Sequence, residues 1–333
     1  MINSYIRAIE YYFPNNKEYN DPEDRMTKKI GIEVKNIASA DEFASDLAVA
    51  AATKLFASSN VDPTEIDFII YCTQSPDYYL PTTACLIQDR LGLSTTCGAL
   101  DINLGCSGYV YGLSLAKGLI ESGSAQNVLF LTSDTYSKYI NPKDRSVKLL
   151  FGDAASATII SASKNPQNGQ IGPFTFGTDG KGANNLIVYG GGLRERITSE
   201  SSIEEEDEFG NIRSRSNLYM NGSEIFNFAM KQVPNAVNGL LKKTNETIED
   251  FDYFVFHQAN QYMLESLRRK MKIPNDKFSI EFSDCGNTVS SSIPIALIRD
   301  YKSGKIKNGD KVLLVGFGVG YSWGVGSVVL NMQ

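Results

Sequence analysis

Short apolar runs alternate along the chain with longer segments whose apolar residues recur at helical spacing, the pattern of an α/β protein. "DFIIYCTQS" (67–75) predicts a strand opening into a loop, and "DYFVFHQAN" (252–260) repeats its form. The apolar segment after Cys106 predicts a helix that ends in "ESGSAQNVLFL" (121–131); the one after Asn287 ends in "KSGKIKNGDKVLLV" (302–315). Strand, polar turn residue, helix, Ser-Gly loop and strand therefore occur twice. Cys72 and Cys106 are 34 residues apart and His257 and Asn287 are 30 apart, so the halves correspond in pattern more than in spacing. "SASKNPQNGQIGP" (161–173) reads as the linker, which predicts halves of 1–165 and 166–333. The segment 192–217, with "EEEDE" at 204–208, reads as a solvated excursion.

One run resembles a membrane span. "VLLVGFGVGYSWGVGSVVLNM" is uncharged from Val312 onward, but five glycines (316, 318, 320, 324, 326) and Trp323 interrupt it. Two buried strands joined by a glycine-rich turn fit better, and no membrane span is expected. The start, "MINSYIRAIEYYFPNN", lacks a basic region followed by an apolar one, so a cytoplasmic protein is expected.

Composition narrows the function classes. The 32 basic and 38 acidic side chains leave a net charge of −6, which argues against a nucleic-acid partner. Five scattered cysteines without a C-x-x-C pair read as reduced thiols. A single histidine leaves little material for a His-based metal site, and no metal is expected.

Three residues invite a chemical reading. Under a pseudo-twofold Cys106 corresponds to Asn287 and Cys72 to His257, so Cys106, His257 and Asn287 would meet at the C-terminal ends of strands, where α/β sheets place ligands. Cys106 would stand at the start of a helix, where the dipole and free N–H groups lower a thiol pKa, with Gly105 and Gly108 leaving room. It also reads as a small buried hydrophobe. His257 is the only ordinary group titrating near neutrality, or a satisfied core residue. Asn287 would join the site or serve a turn, and Asn260 is a candidate N-cap for the helix that follows.

The Cys106 turn, "FGDAASA" (151–157), "YMNGSEIFNFA" (219–229), "HQAN" (257–260), "GNTVSSSIP" (286–294) and "GFGVGYSWG" (316–324) together, in this order, resemble the β-ketoacyl-acyl-carrier-protein synthase III family of the thiolase superfamily. The resemblance covers nearly the whole chain. It implies a thiolase-like five-layered αβαβα fold from two duplicated halves, and a homodimer. It implies a catalytic set of Cys106, His257 and Asn287, and an oxyanion hole from the backbone N–H groups of Cys106 and Val319. Phe317 matches a gate beside the nucleophile, and Leu80 an apolar residue reaching the partner subunit's acyl pocket. The implied reaction acylates Cys106 from a primer thioester and condenses the acyl group with malonyl-acyl-carrier-protein (malonyl-ACP), without metal or redox cofactor.

The chain also departs from that family. Where many members stack the adenine of coenzyme A between a tryptophan and an arginine, the matching positions are Arg25 and Tyr262. Arg145 does match a basic member of that site. Altered acyl-coenzyme A binding is therefore expected, with the primer arriving either on coenzyme A or on acyl carrier protein; housekeeping fatty-acid initiation and a specialised pathway both stay open, and these departures lean toward the specialised one. "LRRKMK" (267–272) would place Arg268, Arg269, Lys270 and Lys272 on one helix, with Arg269 and Lys270 matching the docking residues for an acidic carrier protein; the alternative is a solvated face.

Other readings compete. Cys, His and Asn in this order also occur in papain-like proteases, against which stand the missing Cys-Gly-Ser-Cys-Trp context and the internal repeat. A thiolase-fold acyltransferase to an alcohol or amine, and a non-catalytic partner subunit, complete the alternatives.

Overall fold

A computed structural model describes residues 2–332. Nine strands build two sheets: β1 (Asn3–Tyr12), β2 (Phe68–Cys72), β3 (Gly98–Ile102), β4 (Asn127–Asp134) and β5 (Ala154–Ser163), then β6 (Gln170–Thr178), β7 (Tyr253–Phe256), β8 (Lys311–Gly318) and β9 (Ser322–Val329). The first sheet has the order β1-β5-β4-β2-β3, the second β7-β8-β9-β6. Residues 164–169 carry the chain from one to the other.

The duplication is explicit in the pairing. β1 and β5 are antiparallel, as are β5 and β4, whereas β2 runs parallel to both β4 and β3. In the second sheet β6 and β9 are antiparallel, as are β9 and β8, and β7 runs parallel to β8. A single parallel bridge from Phe254 to Phe278 stands where the first half has β3. Both outer pairs slip register once, between Ile6 and Ala8 and between Gly326 and Val328.

Alternate side chains on each strand enter different clusters, because every sheet is buried on both faces. Ile69 and Tyr71 pack with helix α1 (Ala44–Ser58) on the outside of the first sheet. Ile70, Val128 and Phe130 face inward onto α2 (Gly108–Glu121). From the other side Val312 and Leu314 meet the same middle layer, which also holds Ile293 and Leu297 of α5 (Ser292–Lys302). Leu313 and Val315 turn outward to α3 (Gly222–Thr244) and α4 (Gln261–Lys270). Helix, sheet, helices, sheet and helix make the five-layered αβαβα arrangement. The run from Val312 forms β8 and β9, and among the described residues no helix is long and apolar enough to cross a membrane.

The 192–217 excursion differs from expectation. Glu204, Glu205, Glu206 and Glu208 are exposed, but the segment is pinned rather than loose. Arg213 Nε lies 2.7 Å from an oxygen of the fully buried Asp144, and Asn141 donates to Glu204 at 2.7 Å. The acidic run advertises solvent; the arginine five residues beyond it supplies the anchor.

Candidate active site

Cys106 lies in the turn between β3 and α2, and the turn is made close by glycines. A Cβ on Gly318 would stand 2.7 Å from the Cys106 Cβ, and one on Gly316 would stand 2.8 Å from the Ser107 Cα. A Cβ on Gly105 would fall within 2.9 Å of Val319 and 3.2 Å of Val289. So the cysteine turn, the β8–β9 loop and the Asn287 loop close on one another. Ser107 Oγ and Ser322 Oγ, 2.5 Å apart, tie the first two together.

The backbone N–H groups of Val319 and of Cys106 itself both reach the Cys106 sulfur. The thiol pKa nevertheless departs from the expected lowering. Burial, with the nearby Asp134 carboxylate adding to it, pushes the thiol up to about 12, and the two N–H groups offset only part of that rise. The first helical residue is Gly108, two positions beyond the cysteine, and desolvation outweighs what the helix start contributes.

His257 follows directly on β7, its N–H donating to Val315 O at 2.8 Å. The ring is buried, edge-on to Phe317 with centroids 5.6 Å apart. Burial pushes its pKa down to about 3 against the Val289 carbonyl, so the imidazole is neutral. Nδ1 lies 2.7 Å from Ser292 Oγ, and Nε2 lies 3.5 Å from Asn287 Nδ2.

Asn287 is held from three sides. Its N–H donates to Leu150 O at 2.9 Å and its carbonyl accepts from Gly152 N–H at 3.1 Å. Its side-chain oxygen accepts the Val289 N–H at 2.9 Å, which turns the amide nitrogen toward the imidazole. Val289 itself has φ 53°, left-handed for a β-branched residue. Asn260 caps α4 by accepting from Met263 N–H at 3.0 Å.

The outer residues divide. Arg145 and Tyr262 line a cleft of about 910 Å³ together with Met26, Lys29, Leu150 and Phe226; the Leu150 carbonyl joins it to the Asn287 loop. Arg145 pairs with Asp24 at 2.6 Å. Tyr262 stacks on Phe226 with centroids 5.2 Å apart and carries the Lys29 ammonium 4.4 Å from its ring centre. Arg25, by contrast, is exposed and outside the lining. Leu80 is 82% exposed, beside the exposed Tyr78 and Tyr79.

Of the basic run, Arg269 is exposed, whereas Lys270 donates to Met230 O at 2.8 Å. Arg268 turns inward to Glu265 and the Ile273 carbonyl, and Lys272 lies past the end of α4. One helix does not present all four charges, because the helix stops at Lys270. Sequence reasoning also assigned nothing to Gly152 and Ser292, although both lie in the quoted motifs "FGDAASA" and "GNTVSSSIP". Among the described residues no group of three or more His, Cys, Asp or Glu could hold a metal ion.

A family model described as 3-oxoacyl-[acyl-carrier-protein (ACP)] synthase III matches residues 100–180, and one for its C-terminal part matches 241–331. The β-ketoacyl-[acyl-carrier-protein] synthase III of Caldanaerobacter subterraneus is 36% identical, over 93% of this chain and 90% of its own. That of Clostridium perfringens is 35% identical, over 99% and 100%. A crystal structure of a 3-oxoacyl-(acyl-carrier-protein) synthase III superposes with a TM-score of 0.96 at 50% identity, over 98% of this chain and 100% of the other. The 3-oxoacyl-(acyl-carrier-protein) synthase of Burkholderia xenovorans does so at 0.89 and 36%, over 99% and 95%.

Proposed function

The chain belongs to the 3-oxoacyl-[acyl-carrier-protein] synthase III family, and we propose that Cys106, His257 and Asn287 carry that family's decarboxylating condensation here. The enzyme is an acyltransferase of the condensing type. The observation that carries the assignment is the convergence of the Asn287 amide nitrogen and His257 Nε2, 3.5 Å apart, beside a cysteine turn whose sulfur is met by two backbone N–H groups.

In the first half-reaction the Cys106 sulfur attacks the primer thioester carbonyl. Charge on that oxygen is taken by the N–H groups of Cys106 and Val319, the primer's carrier thiol leaves, and it takes up the Cys106 proton. In the second, malonyl-ACP loses CO2, and the electron pair released forms an enolate whose oxygen accepts from His257 and Asn287. The enolate carbon attacks the acyl-cysteine carbonyl, the Cys106 thiolate departs and takes up a proton from solvent, and 3-oxoacyl-ACP is released. Each step balances without a cofactor. A neutral His257 suits the second step, since a donor placed at a developing oxyanion stabilises it without itself titrating.

For the primer, the reading is delivery on acyl carrier protein. Tyr262 spends its ring on Phe226 and Lys29 where relatives are expected to grip adenine, and Arg145 is already paired with Asp24. Arg269, 75% exposed although 3.5 Å from Glu265, supplies positive charge for an acidic carrier, with the exposed Lys270 next to it. Phe317, edge-on to His257, is the gate. A homodimer is supported by the open edge of β3 and the exposed Tyr78, Tyr79 and Leu80, the last reaching the partner's acyl pocket. Five free thiols suit the reducing cytoplasm.

The test is intact mass spectrometry after incubation with acyl-coenzyme A and acyl-ACP thioesters, with Cys106→Ala as control. An adduct on the native protein alone, discharged by malonyl-ACP as a 3-oxoacyl product, is the expected result. An adduct that malonyl-ACP leaves untouched would make the protein a transferase to another acceptor, and no adduct at all would favour a non-catalytic subunit.

A further inference from the structure

In the condensation proposed for Cys106, the Val319 N–H takes charge from the thioester oxygen, yet Val319 belongs to no strand and sits in the loop between β8 and β9. We propose that Ser322 is the positioning residue for that N–H. With Ser107 it forms a hydroxyl chain, from Ser107 to Ser322 to the Val319 carbonyl, that holds the loop on the cysteine turn.

The number of protons fixes the direction of the chain. Ser107 Oγ lies 2.5 Å from Ser322 Oγ, and Ser322 Oγ lies 3.1 Å from Val319 O. A carbonyl only accepts, so it takes the Ser322 proton, and the Ser107 proton goes to Ser322 Oγ. The reverse order would take the donor from Val319 O and leave the Ser107 proton without an acceptor among the described hydrogen bonds. Both serines are buried, so neither bond has bulk water as a substitute.

Other residues of the loop are held by backbone. Gly318 pairs with Ser322 at the end of the β8–β9 ladder, and Tyr321 and Asp179 exchange hydrogen bonds at 2.8 and 3.0 Å. At Val319 the N–H faces the Cys106 sulfur, and the carbonyl is held by the Ser322 hydroxyl. Ser107 follows Cys106 directly, so the same chain joins the two residues whose N–H groups meet the sulfur.

The acyl-cysteine carbonyl is on that sulfur and meets the same N–H groups, so loss of the Ser322 hydroxyl should slow both attacks. Decarboxylation uses His257 and Asn287 and should continue. The enolate left without a reactive acyl-cysteine takes a proton from solvent, so malonyl-ACP ends as acetyl-ACP and CO2.

The test follows primer acylation by intact mass and counts CO2 against 3-oxoacyl-ACP when pre-acylated enzyme meets excess malonyl-ACP. Wild type should give one CO2 per product. Ser322→Ala should lower kcat for acylation about 10- to 100-fold, with the primer KM changed less than about twofold. It should also release more than one CO2 per product, the excess matched by acetyl-ACP. Ser322→Thr, which keeps the hydroxyl, should return the ratio to one. Wild-type acylation in Ser322→Ala overturns the inference, and so does a ratio that stays at one. Where Ser322→Ala fails to fold, Ser107→Ala, which cuts the tie to the cysteine turn, decides by the same two readings. A wild-type adduct that Cys106→Ala lacks tests the underlying reaction separately.

Discussion

Gly152 and Asn287 are held backbone to backbone: the Gly152 N–H donates to the Asn287 carbonyl at 3.1 Å, and a Cβ on Gly152 would stand 2.1 Å from the Cys285 carbonyl oxygen. That obstacle is backbone and cannot rotate away. Gly152→Ala should therefore push the Asn287 loop out of place, costing about 1–3 kcal/mol of stability and about 10- to 100-fold in condensation. Cys106 should still acylate. Denaturant melts and intact mass measure the two effects, and an alanine variant with unchanged condensation would show that the loop position is not critical.

His257→Ala and Asn287→Ala should separate the half-reactions. Each removes one donor from the enolate oxygen and should cost condensation about 10²- to 10³-fold, or ~3–4 kcal/mol. Neither touches the N–H groups at the Cys106 sulfur, so the acyl adduct should form in both. If either variant loses acylation as severely as condensation, the assignment of both residues to the second step is wrong.

The thiol at about 12 sets a reactivity profile. Only the thiolate alkylates, so the rate of Cys106 modification by iodoacetamide should rise about tenfold per pH unit between about pH 7 and 9, with no plateau. A plateau near neutrality would mean that the helix start, not burial, governs the sulfur.

Two buried groups have opposite linkage to stability. Burial, offset in part by Ser290 and Gln74, raises Asp134 from 3.8 to about 7, so the fold holds a proton that the unfolded chain releases, and stability falls as pH rises through that window. His257 is lowered from 6.5 to about 3, so the unfolded chain binds the extra proton and stability rises with pH over its window. Between about pH 4 and 6.5 the two slopes oppose each other. Asp134→Asn should leave the histidine slope uncompensated, making the variant gain about 1.4 kcal/mol per pH unit relative to the wild type across that range. Parallel profiles from urea melts would refute it.

The Arg213–Asp144 pair should behave as a buried anchor. Arg213→Ala strands a fully buried carboxylate, also contacted by no other basic side chain among the described ion pairs. The expected cost is about 3 kcal/mol, with new protease cleavage between residues 192 and 217. Unchanged protection of that segment would return it to the status of an independently ordered loop.

The alternation of apolar runs located β2, β4, β7, β8 and β9, because a strand buried on two faces is apolar along most of its length; β1, β5 and β6 are not marked by it, and β5 holds Ser156 and Thr158 inside. The repeat determined that Cys106 and Asn287 hold equivalent turns before α2 and α5. Residue types and motif order together pointed to Cys106, His257 and Asn287. The sequence also held the cap at Asn260, a local bond between neighbours. What lay beyond it is non-local. The thiol pKa depends on how deeply five layers bury the sulfur and on Asp134, a residue of another strand, so helix position alone predicted the wrong direction. Arg268 and Arg269 are adjacent in sequence yet face inward and outward. The anchoring of 192–217 depends on Asp144, 69 residues before Arg213 in the chain. Ser292 meets Nδ1 of a histidine 35 residues away only because the turn after a left-handed Val289 delivers its hydroxyl there. Periodicity records which residues are buried, whereas pKa, tautomer and ion pairing depend on which residues meet, and tertiary packing decides that.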